Sequence, residues 1–566
     1  MRNRFLFALS LLLITALTLP AFIYAQRTAQ STSPSGTASG PVSTRPVRKT
    51  ADAEEIEKDV SEALTVIQDQ YIDGNKLDYN AVFKSSITGM LRSLDPHSNY
   101  FDRAEFDEFR TDQRSEYYGI GATIGDLREG DQVNTFIRAT FENAPAWKAG
   151  LRYGDRILEV DGKDMRGKNF YEVRQNLRGP RGSVVKVTVE RLASHKVETV
   201  EITRDAVPQP SIPEFYMIRP GVGYIAMSGG FNLTTADEFA NALENLHSQG
   251  MKQLVIDLRG NGGGLLSQAV KVANTFLQRG QLILKQQGRV RGSTQPYYAD
   301  NEQPDMTPLV VIVNRGTASA SEILTGALQD HDRALIVGET SFGKGLVQIP
   351  FPLEYGSALL LTIGKYYTPS GRLIQRDYSN AGFYDYYTNG GISRETNKTP
   401  VAPTGPESRT DTGRAVYGGG GITPDEMVSP RLISPAQQRV TDPVFAFAME
   451  LAAGRVAGFD AYKVQRPIDF GRDLTATDFP MTDTLYKAFK DFVASKPIYK
   501  FTPAQLDKER AYIERQLRYE LVTAAYGSTT SFQVFNADDP QITKAIDVLP
   551  RAQQLAAAAQ NKRNPS

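Results

Sequence analysis

The chain has 566 residues, roughly enough for three or four domains at about 150 residues each, and its 40% hydrophobic and 23% charged content is that of a globular protein. Its 64 basic and 64 acidic side chains balance, which argues against a nucleic-acid partner, because nucleic-acid-binding proteins carry a basic excess or stripe. The absence of cysteine excludes disulfides, thiolate metal sites and a cysteine nucleophile.

The first 25 residues have the parts of a secretory signal peptide. Arg2 and Arg4 precede an apolar run from Phe5 to Leu19, and Ala25 offers a small residue for cleavage. The alternative is a retained membrane anchor, since the weakly polar run up to Ala25 is nearly long enough to span a bilayer. Both interpretations export the rest of the chain to the periplasm or cell envelope, and the second attaches it to the inner membrane.

The next three regions differ in composition. Residues 26–50 are rich in Ser, Thr, Pro and Gly, which predicts a flexible linker. Residues 51–114 carry apolar side chains at helical spacing, so we expect an N-terminal helical region. Residues 115–205 combine short β-rich stretches with glycine-punctuated turns, which predicts a compact module.

Residues 206–430 have the pattern of an α/β core. The stretches 254–258 and 309–313 are near-continuous apolar runs, as expected for strands that are covered on both faces. A helix-like stretch follows each run, which favours a mainly parallel sheet. Residues 371–425 lack periodicity and predict a long loop or flap, whereas residues 431–566 predict a C-terminal helical region.

One serine-rich segment, Asn314-Arg-Gly-Thr-Ala-Ser-Ala-Ser-Glu-Ile-Leu324, follows an apolar strand and opens a helix. The unpaired N–H groups and the dipole at a helix start favour negative charge, which suits a nucleophile that forms an oxyanion. However, Ser319 and Glu322 also have the spacing of a helix capping box. This segment alone therefore leaves both interpretations open.

A second segment, Gly338-Glu-Thr-Ser-Phe-Gly-Lys-Gly345, fits the glycine spacing of a phosphate-binding loop, but Gly345 stands where that loop needs Ser or Thr, and a strand-like stretch follows instead of a helix. Burial can lower the pKa of a lysine, and a neutral Lys344 could take the proton from a serine. A surface lysine in a turn is the alternative.

A third segment, Asp257-Leu-Arg-Gly-Asn-Gly-Gly-Gly264, is a glycine-rich turn between a strand and a helix. It fails as a dinucleotide site, since Leu265 occupies the final glycine position. Its N–H groups could stabilise an oxyanion, or it could be a plain tight turn. Of the four histidines, His331 beside Asp330 leaves a Ser–His–Asp triad open, and no two lie at the spacing of metal ligands, so we expect no metal and no cofactor.

Together these segments resemble the carboxyl-terminal processing, or tail-specific, serine proteases. The resemblance also rests on Leu91-Arg-Ser-Leu-Asp-Pro-His-Ser98, Tyr367-Thr-Pro-Ser-Gly-Arg372 and Gly418-Gly-Gly-Gly-Ile-Thr-Pro-Asp425, and it covers about residues 50 to 430. It implies an α/β, crotonase/ClpP-like protease core within an α+β multidomain chain. The helical region 431–566 is not covered.

The resemblance implies a role for each matching residue. Ser319 would be the nucleophile, Lys344 the general base, and Gln348 the residue that orients the lysine. In an alternating strand the side chains of Lys344 and Gln348 would share a face, which agrees with that role. The oxyanion donors would be the N–H groups of Ala320 and Gly264. Asp330 matches a residue of importance in the family and is interpreted here as supporting structure.

The module 115–205 resembles a bacterial PDZ domain, which binds the C-terminal tails of proteins as an added strand. Arg178 of this module would reach the Gln348 region and make activity depend on tail binding, as the family suggests. The segment of the carboxylate-binding loop is Tyr118, Gly119, Ile120, Gly121 and Ala122.

The leading prediction is therefore an exported serine endopeptidase that cleaves proteins near their C-terminal tails. Its expected partners are protein or peptide substrates, and the C-terminal helices could pair subunits into a homo-oligomer or bind an adaptor. The alternatives are a non-catalytic envelope scaffold that binds peptide tails and a lipid- or hydroxyacyl-processing enzyme on a crotonase-like core.

Overall fold

The computed structural model describes residues 52–379, 386–387, 405–464 and 467–563. The predicted signal or anchor segment, the linker 26–50 and part of the predicted loop 371–425 lie outside these residues. Within the described ranges, no helix is both long enough and apolar enough to cross a bilayer. The chain divides into two compact units, residues 1–79 and 80–566.

The N-terminal region is helical, as predicted. In the first unit, α1 (Ala53–Gln70) begins at a capping box formed by Asp52 and Glu55. In the second unit, a short strand links two helices, of which the second begins at another capping box. These elements are α2 (Tyr79–Arg92), β1 (Asn99–Phe101) and α3 (Arg103–Asp112).

The PDZ-like module contains an antiparallel sheet with the order β3-β4-β5-β7-β8, and β6 pairs with β5. Its core contains Ile137, Val173 and Val187, which are fully buried. The elements are β2 (Glu116–Gly119), β3 (Ala122–Glu129), β4 (Gln132–Thr140), α4 (Pro145–Lys148), β5 (Arg156–Val160), β6 (Lys163–Asp164), α5 (Phe170–Leu177), β7 (Val184–Glu190), β8 (Val197–Thr203) and β9 (Asp205–Pro208).

The predicted α/β core is confirmed as a six-stranded sheet with the order β10-β11-β12-β15-β16-β21. All neighbouring strands are parallel except β10 and β11. Every residue of β15 and β16 is buried, which explains their continuous apolar sequence. The elements are β10 (Glu214–Arg219), β11 (Val222–Ala226), α6 (Thr235–Ser248), β12 (Gln253–Asp257), α7 (Leu266–Phe276), β15 (Leu309–Val313), α8 (Ala320–Asp330), β16 (Ala334–Gly338) and β21 (Glu426–Met427).

A second, antiparallel sheet lies within the same part of the chain. Its order is β1-β18-β13-β14, and β17 pairs with the same strand, β18. Strand β1 therefore brings the segment Leu91–Ser98 next to the α/β core. The remaining strands are β13 (Leu282–Gly288), β14 (Gln295–Tyr298), β17 (Leu346–Pro352), β18 (Ala358–Tyr367) and the short hairpin β19 (Glu407–Arg409) and β20 (Ala415–Tyr417).

The C-terminal region is helical, as predicted, and it packs on both other parts of the second unit. Helices α9 and α12 share one hydrophobic cluster with Leu127, Phe136 and Tyr153 of the PDZ-like module, whereas α13 and α14 pack against the parallel sheet. The helices are α9 (Pro435–Ala452), α10 (Asp483–Ser495), α11 (Pro503–Lys508), α12 (Arg510–Asn536), α13 (Pro540–Asp547) and α14 (Leu549–Arg563).

Candidate active site

Ser319 lies at the turn between the buried strand β15 and the helix α8. Its backbone has φ 57° and ψ −116°, a conformation that costs an L-residue on the order of 1–3 kcal/mol. All eleven residues of α8 are buried, so this helix fixes the position of the turn. The Tyr366 hydroxyl donates to the Ser319 carbonyl at 3.2 Å and adds a contact from β18. The turn therefore holds the serine at the start of a rigid helix.

Glu322 joins the serine turn to the lysine loop. Its fully buried carboxylate accepts four hydrogen bonds, and one oxygen, Oε2, accepts from the backbone N–H of Ser319 at 2.8 Å and from that of Lys344 at 2.9 Å. The other oxygen accepts from the Gly343 N–H at 2.7 Å and from the Ser341 hydroxyl at 2.5 Å. The two backbone nitrogens that bind Oε2 are thus no further apart than two hydrogen-bond lengths.

Lys344 lies in the loop between β16 and β17, next to Gly343 and Gly345. Burial lowers the pKa of its amine, while the carboxylates of Glu322 and Asp95 act in the opposite direction. Because desolvation disfavours the charged form, the net effect is a larger neutral fraction at a given pH than for a lysine in water. The loop therefore has the electrostatic property that a general base requires.

Gln348 lies on β17, but the strand geometry differs from the expected alternation. β17 begins at Leu346, after the lysine, and its pairing with β18 shifts between Val347 and Gln348. Such a bulge redirects the side chains that follow it. The Gln348 Nε2 atom is buried and has no hydrogen-bond partner among the described residues. An orientation role for Gln348 stays a prediction.

The glycine-rich turn packs directly against the serine. A Cβ added to Gly263 would lie 2.7 Å from Ser319 Cβ and 2.8 Å from the Ala320 nitrogen, whereas a Cβ on Gly264 would collide with the Phe231 carbonyl. The Gly263 N–H already donates to Asn261 Oδ1 at 2.9 Å. Within the described residues, the N–H groups of Ala320 and Gly264 donate to no protein acceptor. The glycine that touches the serine is thus Gly263, while Gly264 offers the available N–H.

Three ion pairs, two of them made by the partly buried Arg259, support these loops. Arg259 binds Asp257 at 2.6 Å and also binds Asp539 at 2.8 Å and Gln541 at 2.9 Å, which connects the glycine turn to the C-terminal helices. Asp330 pairs with Arg372 at 2.6 Å, and both side chains are 1% exposed. The contact of Asp330 with Arg372 agrees with a supporting role for this aspartate.

Comparison with known proteins places the chain among peptidases. A model of peptidase family S41 matches residues 221–380, and a PDZ domain model matches residues 137–191. The carboxy-terminal-processing protease of Bartonella bacilliformis is 36% identical over 317 residues, which are 55% of this chain and 70% of that protein. The chain belongs to the carboxy-terminal-processing protease family.

A second relative agrees with this assignment. Carboxy-terminal processing protease CtpB of Bacillus subtilis is 35% identical over 320 residues, 56% of this chain and 65% of its own length. Among solved structures, a photosystem II D1 C-terminal processing protease has 32% sequence identity and a TM-score of 0.32, covering 55% of this chain and 88% of that chain.

The predicted tail-binding loop lies between β2, which ends at Gly119, and β3, which begins at Ala122. Within the described residues, β3 is an outer strand that pairs only with β4, so its other edge is open for an added strand. Gly121 has φ 72°, a left-handed conformation that glycine adopts at low cost. Burial raises the pKa of the nearby Tyr117 to about 12.

The structure places two other predicted residues away from the serine. Arg178 Nη1 lies 3.3 Å from Glu108 Oε1 of α3 rather than beside Gln348. The regulatory contact between Arg178 and Gln348 therefore stays a prediction. His331 lies at the end of α8 opposite Ser319, about 16 Å along an eleven-residue helix. It contacts Asp411 at 2.9 Å and the Leu282 carbonyl at 2.8 Å. The Ser–His–Asp alternative through His331 is therefore wrong.

Sequence reasoning missed three contributors to the site. The spacing of Glu322 from Ser319 predicts a helix capping box, whereas in the structure the same carboxylate also binds the Lys344 N–H. The sequence gives His97 no role in the site, yet its ring packs edge-on to Phe342 with the ring centres 6.1 Å apart. The family resemblance implies Gly264 as an oxyanion donor, whereas the glycine in contact with Ser319 is Gly263.

Proposed function

We propose that the chain is a serine endopeptidase in which Ser319 is the nucleophile and Lys344 is the general base. The observation that carries this proposal is the shared carboxylate of Glu322, which binds the backbones of both residues, together with the burial that lowers the pKa of Lys344. A serine hydroxyl is a weak nucleophile by itself and needs such an adjacent base.

The proposed reaction has two halves. The neutral Lys344 amine takes the proton of the Ser319 hydroxyl as its oxygen attacks the substrate carbonyl, and the ammonium then protonates the leaving amine. Water attacks the resulting acyl-enzyme with the same amine as base, which releases the acid and restores the serine. The N–H groups of Ala320 and Gly264 stabilise the oxyanion in both halves, since fixed donors in a water-poor site strongly stabilise developing charge.

The proteolytic test uses an unfolded casein-type substrate. Ser319→Ala and Lys344→Ala should each abolish cleavage, whereas Lys365→Ala, which removes an exposed lysine on the neighbouring strand β18, should leave it unchanged. Cleavage at the wild-type rate by either of the first two variants would refute the dyad. A thioester panel assayed in parallel tests for acyl-processing activity instead.

We further propose that the PDZ-like module captures the C-terminal tail of the substrate. The tail would add to the outer edge of β3, and its carboxylate would bind the N–H groups of the loop from Tyr118 to Ala122. A peptide with a free C-terminus should bind the full chain at least 10-fold more tightly than its C-terminal amide. Equal affinities would refute carboxylate capture.

Tail binding would also regulate the site if Arg178 leaves Glu108 and reaches Gln348, whose Nε2 atom is unsatisfied. The Arg178 guanidinium and the Gln348 Nε2 group are both hydrogen-bond donors, so Arg178 would have to bind the Gln348 Oε1 atom. Adding a tail peptide should raise cleavage of a separate substrate by wild type and not by Arg178→Ala. Equal activation of both would contradict the role of Arg178.

The proposed location is the periplasm or cell envelope, and export rests on the first 25 residues of the sequence. The C-terminal helices already pack on the PDZ-like module and the parallel sheet, so a partner subunit or adaptor would bind their outer faces.

A further inference from the structure

A continuous chain of hydrogen bonds runs beside the lysine loop. It joins the residue after Lys344 to the turn before β1, and each bond is within ordinary hydrogen-bond length. The bonds are Gly345 N to Gln375 Oε1 at 2.8 Å, Gln375 Nε2 to Tyr386 Oη at 3.1 Å, Tyr386 Oη to His97 Nε2 at 2.9 Å, His97 Nδ1 to Tyr387 Oη at 3.2 Å, and Tyr387 Oη to the Pro96 carbonyl at 2.8 Å.

The two ends of this chain fix its direction. The Pro96 carbonyl can only accept, so the single Tyr387 proton points to it, and the Tyr387 oxygen must accept from His97 Nδ1–H. At the other end the Gly345 N–H can only donate to Gln375 Oε1, so the Gln375 amide group donates to Tyr386. The Tyr386 proton then points to His97 Nε2. The only neutral form of His97 that satisfies every bond is the Nδ1–H tautomer.

Some of these residues belong to an aromatic cluster next to the lysine loop. Tyr386 is 2% exposed and belongs to a cluster with Phe342 and Ala318, the neighbours in sequence of the lysine loop and the serine. The rings of Phe342 and Tyr386 meet edge-on, with centres 5.7 Å apart. The Arg376 guanidinium covers both rings, at 4.4 Å and 4.7 Å from their centres. Aromatic side chains therefore cover this side of the lysine loop.

The charges around His97 favour its neutral form. Burial and the nearby charges of Lys344 and Arg376 lower the pKa of His97 to about 3, and Asp95 alone acts in the opposite direction. Asp95 also fixes the turn, because its carboxylate accepts from the His97 N–H and the Ser98 N–H, both at 2.8 Å. The ring is thus held neutral by its surroundings and oriented by the turn.

We propose that His97, held as the neutral Nδ1–H tautomer, is a positioning residue that fixes Tyr386 against Phe342 and so keeps water from the Lys344 amine. The inference rests on the proposed function of Lys344 as a base. Glu322 from α8 and Asp95 from the turn before β1 both raise the pKa of Lys344 and so favour its ammonium form. Desolvation of the amine acts against them, because it lowers the same pKa.

The first test does not depend on activity. The full chain contains only four histidines, so selective ¹⁵N labelling gives four resolvable imidazoles, and the signal lost in His97→Gln assigns the one of interest. At pH 6 we expect His97 to be neutral, protonated at Nδ1, and unchanged down to pH 5. A protonated imidazolium, or a neutral ring protonated at Nε2, would overturn the inference whether or not the chain cleaves peptides.

The second test measures the pH dependence of kcat/KM. Tyr386→Phe keeps the ring but removes the hydroxyl that links Gln375 to His97, so the acidic limb should move to higher pH by about one unit, with the high-pH plateau within about 2-fold of wild type. Tyr378→Phe is the matched control, since its ring lies in the same cluster but its hydroxyl is outside the chain of bonds. An unmoved limb in Tyr386→Phe, or an equal shift in the control, would refute the positioning role. If the wild-type protein has no peptidase activity, the proposed function is refuted, but the result on the His97 tautomer still stands.

Discussion

Replacing Glu322 with glutamine should separate geometry from charge at the active site. The carboxylate accepts four hydrogen bonds, and a carboxamide can accept at only one of its two polar atoms, so its amide group would face N–H or O–H donors. Each lost bond to a buried charged acceptor costs about 1.5–3 kcal/mol, and losing two should lower the free energy of unfolding by about 3 kcal/mol or more. If half of that loss or more falls on the transition state, kcat/KM falls at least about 10-fold.

The same substitution should move the pH profile in a diagnostic direction. The negative charge of Glu322 raises the pKa of Lys344, so its removal should lower that pKa further and move the acidic limb of kcat/KM to lower pH. A reduced plateau combined with a limb at lower pH is therefore the expected result, measured with a quenched peptide substrate between pH 5 and 10.

The matched control is Asp425→Asn. Asp425 is also a carboxylate with only 13% of its side chain exposed, but its bonds go to Arg414 and to the Ile336 N–H, away from the serine. It should lose comparable stability in a urea titration without any movement of the pH profile. If Glu322→Gln keeps the wild-type plateau and limb, or behaves like the control, Glu322 does not link the serine to the lysine.

Three further predictions concern the supports of the site. Gly263→Ala should reduce kcat/KM at least about 100-fold, because its Cβ would lie 2.6 Å from the Ala318 carbonyl and 2.7 Å from Ser319 Cβ. Gly262→Ala has open space around its Cβ and should retain activity. Equal kinetics for the two variants would show that Gly263 does not pack against the serine. Asp539→Ala removes a partner of the partly buried Arg259 and should lower the free energy of unfolding by about 2 kcal/mol in a urea titration. The same substitution at the exposed Asp538 should change little, and similar midpoints for the two variants would show that Asp539 does not support the glycine turn through Arg259. Glu520→Gln weakens the contacts of Glu520 with Arg138 at 2.9 Å and with the Tyr153 hydroxyl at 2.9 Å. It should lower the free energy of unfolding by about 3 kcal/mol and increase the hydrogen exchange of β4. Unchanged exchange would show that these contacts do not hold the PDZ-like module to α12.

The sequence predicts the parts of this fold that depend on local patterns. Continuous apolar runs predict β12 and β15 because both faces of these strands are covered. The serine-rich turn by itself leaves helix capping and catalysis open, and the family resemblance is what assigns the nucleophile role to Ser319. The two glycines around Lys344 indicated a tight loop, which the structure has. The carboxy-terminal-processing resemblance then linked these segments, and the comparisons bear the family out.

Contacts between distant segments were beyond the reach of local patterns. The pairing of β1 with β18 brings His97 to Phe342, but nothing in either segment indicates the other. Helical periodicity in the C-terminal region predicts an apolar face, not that Asp539 binds Arg259. The choice between Gly263 and Gly264 depends on the backbone path, because both lie in the same run of three glycines.

The central claim, that the Lys344 amine activates the Ser319 hydroxyl, is tested most directly by the rate at which a fluorophosphonate probe labels Ser319 as a function of pH. Because the folded lysine has a lowered pKa, labelling should rise with pH and reach half its maximum below pH 10.5, the ordinary value for lysine. Lys344→Ala should abolish the labelling. A Lys344→Ala variant that is labelled at the wild-type rate, or a wild-type midpoint at or above pH 10.5, would contradict this account.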